Sequence, residues 1–269
     1  MISVLFTTYG SPKGLQKVLW GYEVQTYRDF EVIIAEDGAD AEIKKMIDKM
    51  RLEVHYPIKH VWHLHKGFRK CEILNKAILV SEGDYVLFAG GDCIPRMDFV
   101  EVHYNHREKG YFLSGGFAQL SERVSEKLDR EKISEQLCFQ YEWLKNQGER
   151  MTIKKKLKLS TTPKNRAYLN LLTPTKATWN GHNSSGWKKD ILAINGFDEQ
   201  MRYGAEDREF GERLVNNGIR PKQIRYSAIC VQLNDGQKQQ EEESPLRSAV
   251  IRRATYREGR TWTKYGIKK

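Results

Sequence analysis

The sequence predicts an α/β protein with a mostly parallel, doubly wound sheet and a helical C-terminal extension. In the first 116 residues, short runs rich in β-branched residues alternate with amphipathic stretches. That alternation is typical of strand–helix–strand units, which build parallel sheets. The chain has 269 residues, of which 39% are apolar and 11% aromatic, so it is long enough to bury a sizeable core.

The elements of this first part follow one another in order. The predicted strands are 2–9, 30–35, 54–61 and 85–89, and the predicted helices begin at Ser11-Pro12, 41 and 69. Proline suits the first turn of a helix because that turn needs no backbone N–H donor. Ligands of such sheets bind at the carboxyl ends of the strands. We therefore expect a site formed by residues 8–9, 36–37 and 92.

After Gly116 the pattern changes. Residues 121–147 are charged and carry apolar residues at helical spacing, which predicts a helix. Residues 150–178 have no clear period and are rich in Lys, Thr, Asn and Pro, so we expect a mobile loop or flap. Regular structure is expected again over 180–218 and in a strand at 226–233, before a basic, helical tail at 244–269.

Several classes of protein are disfavoured by composition. No apolar run approaches the roughly 18 to 20 residues that a membrane-spanning helix needs, and no basic segment precedes the apolar start, so we expect no signal peptide. Cys71, Cys93, Cys138 and Cys230 lack paired spacing, which argues against a disulfide framework or a zinc site. They indicate reduced thiols and a cytoplasmic location.

The net charge of +10 is concentrated in two segments. Residues 144–178 hold nine Lys/Arg and one acid, and residues 245–269 hold eight Lys/Arg and one acid. Such segments suit anionic lipid surfaces, sugar phosphates or nucleic acid. The alternative is a basic face that only contacts solvent. No nucleic-acid-binding motif accompanies the charge, so nucleic acid is not an expected partner.

Two groups of carboxylates follow predicted strands. Asp92 comes after Gly90-Gly91, where glycines let a backbone approach a bulky ligand closely. A carboxylate there can hold Mg²⁺ or Mn²⁺ against a diphosphate. Glu36-Asp37 precedes Gly38, and acids at that position can accept hydrogen bonds from a nucleoside. An ordinary turn explains each group equally simply.

A third acidic pair, Glu206-Asp207, begins an amphipathic stretch that includes Phe210 and Leu214. Acids at a helix N-terminus are stabilised by the helix dipole and can serve only as caps. The functional alternative is a general base that removes a proton from an acceptor hydroxyl.

Five blocks of the sequence, in order, resemble glycosyltransferase family 2. They are Ser3 to Tyr9, Gln25 to Ile34 with Glu36-Asp37-Gly38, Lys66 to Lys70 with Leu74-Asn75, Gly91 to Pro95, and 183–213. The fourth resembles the family's DxD region. The fifth resembles a galactosyltransferase-type C-terminal block with Asn-Gly-Phe-Asp and Glu-Asp signatures. The resemblance covers nearly the whole chain and implies a GT-A fold.

The resemblance also implies an activity and a role for each part. It implies an inverting transfer of a sugar from a nucleotide-diphosphate donor to a glycan hydroxyl in bacterial surface polysaccharide or lipopolysaccharide synthesis. Residues 1–116 would bind the donor, residues 117–243 would bind the acceptor and carry the base, and the basic tail at 244–269 would visit an anionic membrane. All three would belong to one domain.

Individual residues take roles from the same resemblance. Asp207 would be the catalytic base, and Asp92 the ligand of Mn²⁺ or Mg²⁺. The donor would be held by Thr8, Tyr9, Glu36, Asp37, Arg69, Lys70 and Asp92. The acceptor would contact Glu206, Trp179, Asn183 and Trp187, where the aromatic rings would stack on sugars or pack in the core.

Two departures from the family pattern put the metal in doubt. Gly90 stands where the first acid of the DxD region belongs, and the strand at 229–235 lacks a histidine ligand. Asn234 or Asp235, or a lysine or arginine, would have to compensate. His63 and His65 could share a strand face and bind metal, but a position at a strand edge or in the lining of the nucleotide site is the preferred interpretation.

Two rival functions remain open. A nucleotidyltransferase on a similar fold would need a Gly-rich phosphate loop near the N-terminus, and residues 7–12 offer one glycine. A non-catalytic, glycan- or nucleotide-sugar-binding relative would explain Gly90 and the missing histidine, but not the intact Glu206-Asp207 pair.

Overall fold

A computed structural model describes residues 1–234 and 246–268. Its strands are β1 (Ile2–Thr8), β2 (Phe30–Glu36), β3 (Ile58–Trp62), β4 (Tyr85–Gly90), β5 (Cys93–Pro95), β6 (Tyr111–Ser114), β7 (Gly116–Gln119), β8 (Asn183–Trp187), β9 (Arg220–Gln223) and β10 (Ile229–Gln232). The main sheet has the order β3-β2-β1-β4-β8-β6-β9, and a smaller sheet has the order β5-β10-β7.

The helices surround these sheets. They are α1 (Pro12–Glu23), α2 (Ala41–Glu53), α3 (Lys70–Val80), α4 (Phe99–His106), α5 (Glu122–Lys127), α6 (Arg130–Ser134), α7 (Tyr141–Asn146), α8 (Ile153–Ser160), α9 (Pro163–Leu172), α10 (Lys188–Ala193), α11 (Glu206–Asn216) and α12 (Leu246–Glu258), with a 3-10 turn at Leu137–Phe139. Among the described residues, no helix is long and apolar enough to cross a membrane.

The main sheet is mostly parallel and covered on both faces, as the sequence predicts. Strands β1 to β4 run parallel, and β8 runs antiparallel to both β4 and β6. Along β1, Val4 and Phe6 belong to the core shared with α1 and α2, whereas Leu5 belongs to the core shared with α3 and α11. This alternation follows from the two-residue period of a strand, and it makes the sheet doubly wound.

The region after Gly116 differs from the predicted single helix and loop. Residues 121–147 form three short helices and a 3-10 turn, because Asp129 caps a new start by accepting from the Lys132 N–H, and Gln136 adopts φ of +58°. Residues 150–178 contain α8 and α9 instead of a loop. Thr152 caps α8, and Pro163 occupies the first turn of α9.

The C-terminal segment packs against the body and is not a free tail. Helix α12 lies along α11, where Thr255 donates a hydrogen bond to Glu209. The residues beyond it bond back, since Thr263 donates to Asp198 and the Asn195 amide donates to the Thr263 carbonyl. Asp235, which the sequence analysis names as a residue that would compensate for the missing metal ligands, lies outside the described residues.

Candidate functional site

The carboxyl ends of β1, β2 and β4 meet at one edge of the main sheet. Thr8 pairs in register with Glu36, and Thr7 pairs with Gly90. Asp37 and Asp92 come directly after β2 and β4 and lie near this edge. The predicted donor residues of three separate sequence blocks are therefore neighbours, as parallel pairing requires.

Two histidines hold the carboxylates that follow β2. Nε2 of His60 lies 2.7 Å from Oε2 of Glu36, and Nε2 of His63 lies 2.7 Å from Oδ1 of Asp37. All four side chains are largely buried. His60 and His63 thus orient the two carboxylates, while their lining of a nucleotide site stays a prediction.

Tyr9 provides an exposed aromatic surface at this edge. Its side chain is 60% exposed, and its ring lies 4.9 Å from the ring of His65, centre to centre. Thr8 beside it is buried, and its carbonyl accepts a hydrogen bond from the Asp37 N–H. An exposed ring above buried carboxylates is a surface on which a flat, polar group can stack.

Asp92 is fixed by two neighbours. Its Oδ2 accepts a 2.9 Å hydrogen bond from the Gln232 amide, and its Oδ1 accepts a 3.2 Å contact from the Cys93 thiol. A methyl group on Gly90 would lie 2.6 Å from Oδ1 of Asp92 and 2.9 Å from Sγ of Cys93. The absence of the first DxD acid therefore agrees with the local packing, because a side chain at position 90 would displace the Asp92 carboxylate.

Asp207 lies in the first turn of α11, next to a left-handed residue. Ala205 precedes the helix with φ of +66°, a conformation that costs a non-glycine residue energy. The backbone N–H of Gly181 donates a 3.0 Å hydrogen bond to Oδ2 of Asp207. The Asp207 side chain keeps 23% of its surface exposed, so a ligand can reach it.

Lys70 joins the two halves of the site. Its ammonium lies 2.8 Å from Oε1 of Glu206 and 3.2 Å from Oδ2 of Asp207. Burial by itself lowers the pKa of Lys70, but the two carboxylates outweigh this effect, so its pKa is raised and the ammonium stays charged. The preceding residue, Arg69, donates its backbone N–H to Oδ2 of Asp37 at 2.7 Å. Residues 69–70 thus connect the acids after β2 with those of α11.

The sequence predicts that the Arg69 guanidinium binds the sugar donor, but in the structure this group is hydrogen-bonded to other parts of the protein. Its Nη1 donates to Glu72 at 2.9 Å, and its Nη2 donates to the Leu64 carbonyl at 2.6 Å. The contribution of Arg69 to the site in this structure is its backbone N–H.

Three predicted acceptor residues do not reach the cleft. Trp179 is fully buried against Phe88, Phe112 and Phe210, so its ring packs in the core and cannot stack on a sugar. Trp187 pairs with Tyr85 at the opposite edge of the sheet, because β8 runs antiparallel to β4. Both expectations are corrected by these positions.

Asn183 is the third of these residues, and it serves the fold. It is fully buried, and its amide nitrogen donates to the carbonyls of Gly116 and Ala228. Its Oδ1 lies 2.9 Å from Nε2 of His103. These bonds connect the main sheet to the smaller sheet, so the Asn183 side chain has no free group for an acceptor.

His182 flanks the predicted acceptor block in the sequence, between Trp179 and Trp187, and in the structure it lies near Asp92. Its ring packs edge-on against Phe117 at 4.4 Å. Burial lowers the pKa of His182 to about 4; the charge of Asp92 opposes this shift, and those of Lys70 and Lys158 add to it. The residue is therefore a neutral imidazole near Asp92 at neutral pH. A lone histidine before a polar strand gives no sequence signal of this placement.

A model of the family described as "Glycosyl transferase family 2" matches residues 3–170, more than half of the chain. The chain belongs to glycosyl transferase family 2. A second family model, described as "N-terminal domain of galactosyltransferase", matches residues 174–233. The two matches follow one another in the same order as the blocks that the sequence shows.

Relatives of this family 2 glycosyltransferase include Protein CgeD of Bacillus subtilis (strain 168). CgeD is 28% identical over 113 residues, which are 39% of this chain and 26% of CgeD. Among solved structures, mannosyltransferase PcManGT from Pyrobaculum calidifontis, in complex with GDP-Man and Mn²⁺, is 15% identical with a TM-score of 0.58, covering 95% of this chain and 61% of PcManGT. S. aureus TarS is 14% identical with a TM-score of 0.57, covering 95% of this chain and 42% of TarS.

These neighbours confirm the GT-A fold of the family 2 glycosyltransferase. The chain spans less than two thirds of the length of CgeD, PcManGT and TarS.

A divalent ion at Asp92 would have to share its coordination sphere with a bound ligand. Within residues 1–234 and 246–268, no group of three or more His, Cys, Asp or Glu side chains is arranged to hold a metal. Mg²⁺ is commonly held by one or two carboxylates together with substrate phosphates. Asp92 is the residue that the sequence predicts for that role, and its backbone carbonyl accepts a hydrogen bond from the N–H of Leu233, the residue before Asn234.

Proposed function

We propose that this glycosyltransferase transfers a hexose or N-acetylhexosamine from a nucleotide-diphosphate sugar to a glycan hydroxyl, with inversion at the anomeric carbon. The observation that carries the proposal is the position of Asp207. Its carboxylate is partly exposed beside Lys70, whose chain neighbour Arg69 holds Asp37 at the edge of the sheet. Residues 69–70 thus connect the proposed base with the proposed nucleoside-binding groups.

The donor would lie across the strand ends. Tyr9 would stack against the nucleobase. Thr8 would form a hydrogen bond with the nucleoside, and Glu36 and Asp37 would accept hydrogen bonds from it. Asp92 would hold the ribose region and a divalent ion. PcManGT is described in complex with GDP-Man and Mn²⁺, and TarS has been described with UDP-GlcNAc. Mn²⁺ or Mg²⁺, when bound, would neutralise charge on the leaving diphosphate.

Asp207 would act as the general base. It would remove the proton of the acceptor hydroxyl while that oxygen attacks the anomeric carbon from the side opposite the diphosphate. The bond between the anomeric carbon and the diphosphate oxygen would break, and the nucleoside diphosphate would leave with the electron pair. The Lys70 ammonium lies beside the base and would also attract the donor's phosphates.

The acceptor would approach along α11. Glu206 is the predicted acceptor contact, although Lys70 engages it in the absence of a ligand. A cavity of about 350 Å³ lies between α11 and α12, lined by Ala205, Glu212, Ala249, Arg252, Arg253 and Tyr256. Because Ala205 directly precedes Glu206, this cavity is a natural path for a glycan of a bacterial surface polysaccharide or lipopolysaccharide.

Donor binding and turnover can be tested separately. Thermal shifts with UDP, GDP, CMP and dTDP sugars, with and without Mn²⁺, identify the nucleotide. With the donor that binds, Asp207→Asn should leave donor affinity nearly unchanged and lower turnover by about a hundredfold or more. Asp48→Asn on α2, which is half exposed, is the matched control and should keep full turnover.

Two results would reject parts of the proposal. Full turnover in Asp207→Asn would remove the assigned base. Nucleotide-sugar binding without any transfer by the unmodified protein, across a panel of glycan acceptors, would favour the non-catalytic binding relative.

A further inference from the structure

Helices α8 and α9 follow one another in the chain and expose several large apolar side chains to solvent. Ile153 is 80% exposed, Leu171 84%, Tyr168 64% and Leu172 60%. No residue of α9 is buried. Apolar side chains on a helix of a soluble domain normally face its core, so this pair has the reverse arrangement.

The pair is fixed to the body mainly through polar side chains. The Asn170 amide donates to the Ser227 hydroxyl at 2.8 Å, and its Oδ1 accepts from the Tyr226 N–H. The Arg166 guanidinium donates to Asp98 at 3.3 Å. Leu159 is the buried apolar residue of α8. Since polar groups hold α9 in place, its apolar side chains remain free for another surface.

The same region carries a strong positive charge. Residues 150–178 contain eight Lys/Arg and no Asp or Glu. Lys154, Lys156 and Lys164 are exposed beside the apolar side chains. Apolar side chains surrounded by lysines are the composition of helices that lie in the headgroup region of an anionic bilayer.

We propose that the α8–α9 pair is a docking surface for an anionic lipid bilayer. The leucines, the isoleucine and the tyrosine would insert among the acyl chains near the headgroups, and the lysines would contact lipid phosphates. Two copies of this chain joined through this surface would bring two strongly positive faces together, which disfavours self-association. Nucleic acid would attract the lysines but would leave the aliphatic side chains in water.

This surface borders the candidate site. A role for the docking follows from that position, and it rests on the proposed function. The Lys158 ammonium donates to the Phe117 carbonyl at 2.6 Å and lies 5.3 Å from the centre of the Phe117 ring. The same ring also packs edge-on against His182, the imidazole near Asp92. A bilayer against α8–α9 would therefore lie beside the cleft, where a lipid-linked acceptor could enter.

Vesicle co-sedimentation tests the surface without any assay of transfer. The full chain is mixed with phosphatidylcholine vesicles and with vesicles containing about one third phosphatidylglycerol. We expect binding to the anionic vesicles only, and a loss of at least about fivefold in the double variant Leu171→Ser, Leu172→Ser. The matched control is Leu52→Ser on α2, a leucine that is 89% exposed, and it should bind as the unmodified protein does.

A second variant tests the charge. Lys154→Glu with Lys156→Glu should also abolish binding to the anionic vesicles. Equal binding of the unmodified protein to both vesicle types, or unchanged binding of the leucine variant, would overturn the proposal. So would binding to a DNA duplex that both surface variants weaken while vesicle binding persists, or a dimer in gel filtration that the leucine variant dissociates.

The docking proposal and the proposed function can be rejected independently of each other. The surface variants should keep the thermal shift with the nucleotide sugar, since the donor site is untouched. Asp207→Asn should keep vesicle binding while turnover is lost. Loss of the thermal shift in the leucine variant would mean that the substitution disturbs the fold.

Discussion

The backbone N–H of Gly181 donates a hydrogen bond of 3.0 Å to Oδ2 of Asp207. The approach is close because position 181 has no side chain: a methyl group there would lie 2.6 Å from Oδ2 and 2.9 Å from Oδ1 of Asp207. The position of the proposed base thus depends on a glycine 26 residues earlier in the chain.

Substitution of this glycine should therefore affect turnover. In Gly181→Ala the carboxylate has to move, because its contact with a methyl group is too short, and we expect turnover to fall about tenfold or more. The measurement is kcat together with the melting temperature. Gly14→Ala is the control, since its methyl group would meet the Ser11 side chain and no part of the Asp207 carboxylate; equal rates in both variants would show that the Gly181 contact does not position the base.

Removal of the Lys70 charge should destabilise the protein and impair turnover. In Lys70→Met, the carboxylates of Glu206 and Asp207 lose their shared counter-charge and repel each other. Because the Lys70 side chain is 19% exposed, we expect a loss in the free energy of unfolding of about 1–2 kcal/mol, less than for a fully buried pair. Urea unfolding measures it. Lys49→Met, which removes an exposed lysine paired with Glu53, should change stability by less than about 0.5 kcal/mol.

Restoring the first acid of the DxD region should not restore metal binding. In Gly90→Asp the new side chain would collide with the Asp92 carboxylate and the Cys93 thiol, so Asp92 would lose its present position. We therefore expect the apparent affinity for Mn²⁺, measured through donor binding, to fall by about tenfold. Titration of Mn²⁺ at fixed donor measures the effect, and a gain in Mn²⁺ affinity would contradict the steric argument.

Stability should fall as the pH drops below neutrality, in part because of His103. Burial lowers the pKa of His103 from 6.5 to about 3, and its hydrogen bond with Asn183 offsets only part of that shift. Above pH 6.5 the imidazole is neutral in both states. Between pH 6.5 and 3 the unfolded chain binds a proton that the folded chain refuses, so unfolding becomes more favourable by about 1.4 kcal/mol per pH unit.

The contribution of His103 can be separated from that of other groups. His103→Gln removes the titrating ring, so the slope of stability against pH between pH 6 and 4 should decrease by about 1.4 kcal/mol per unit, whatever its effect at pH 7. Urea unfolding at several pH values provides the slope. An unchanged slope would mean that His103 binds a proton equally well in the folded and unfolded states.

The strands that sequence reasoning found are those with a clear apolar pattern. Strands β1, β2 and β4 are mostly apolar and almost fully buried along their length, so their apolar pattern alone identifies them. Strand β8 reads Asn-Ser-Ser-Gly-Trp and is almost fully buried. No local pattern predicts it, because its polar side chains are satisfied by distant partners, among them the Tyr85 hydroxyl and the His103 ring on Ser185.

The same limit explains which acceptor predictions were wrong. The resemblance predicts that Trp179 and Trp187 contact the acceptor because they flank a block similar to the family, but the sequence does not reveal which way a side chain faces. Strand β8 is antiparallel, so Trp187 lies at the edge opposite the site. Trp179 packs where aromatic residues from three other elements meet.

The sequence by itself determined the doubly wound sheet, the family and the acids at the strand ends, because each depends on local periodicity or on a short run of residue types. Only the tertiary structure decided that Lys70 contacts Asp207, that Gly181 leaves room for that carboxylate, and that α8 and α9 expose their leucines. These relationships join residues tens of positions apart, and their geometry follows from how the whole chain packs rather than from any segment of it.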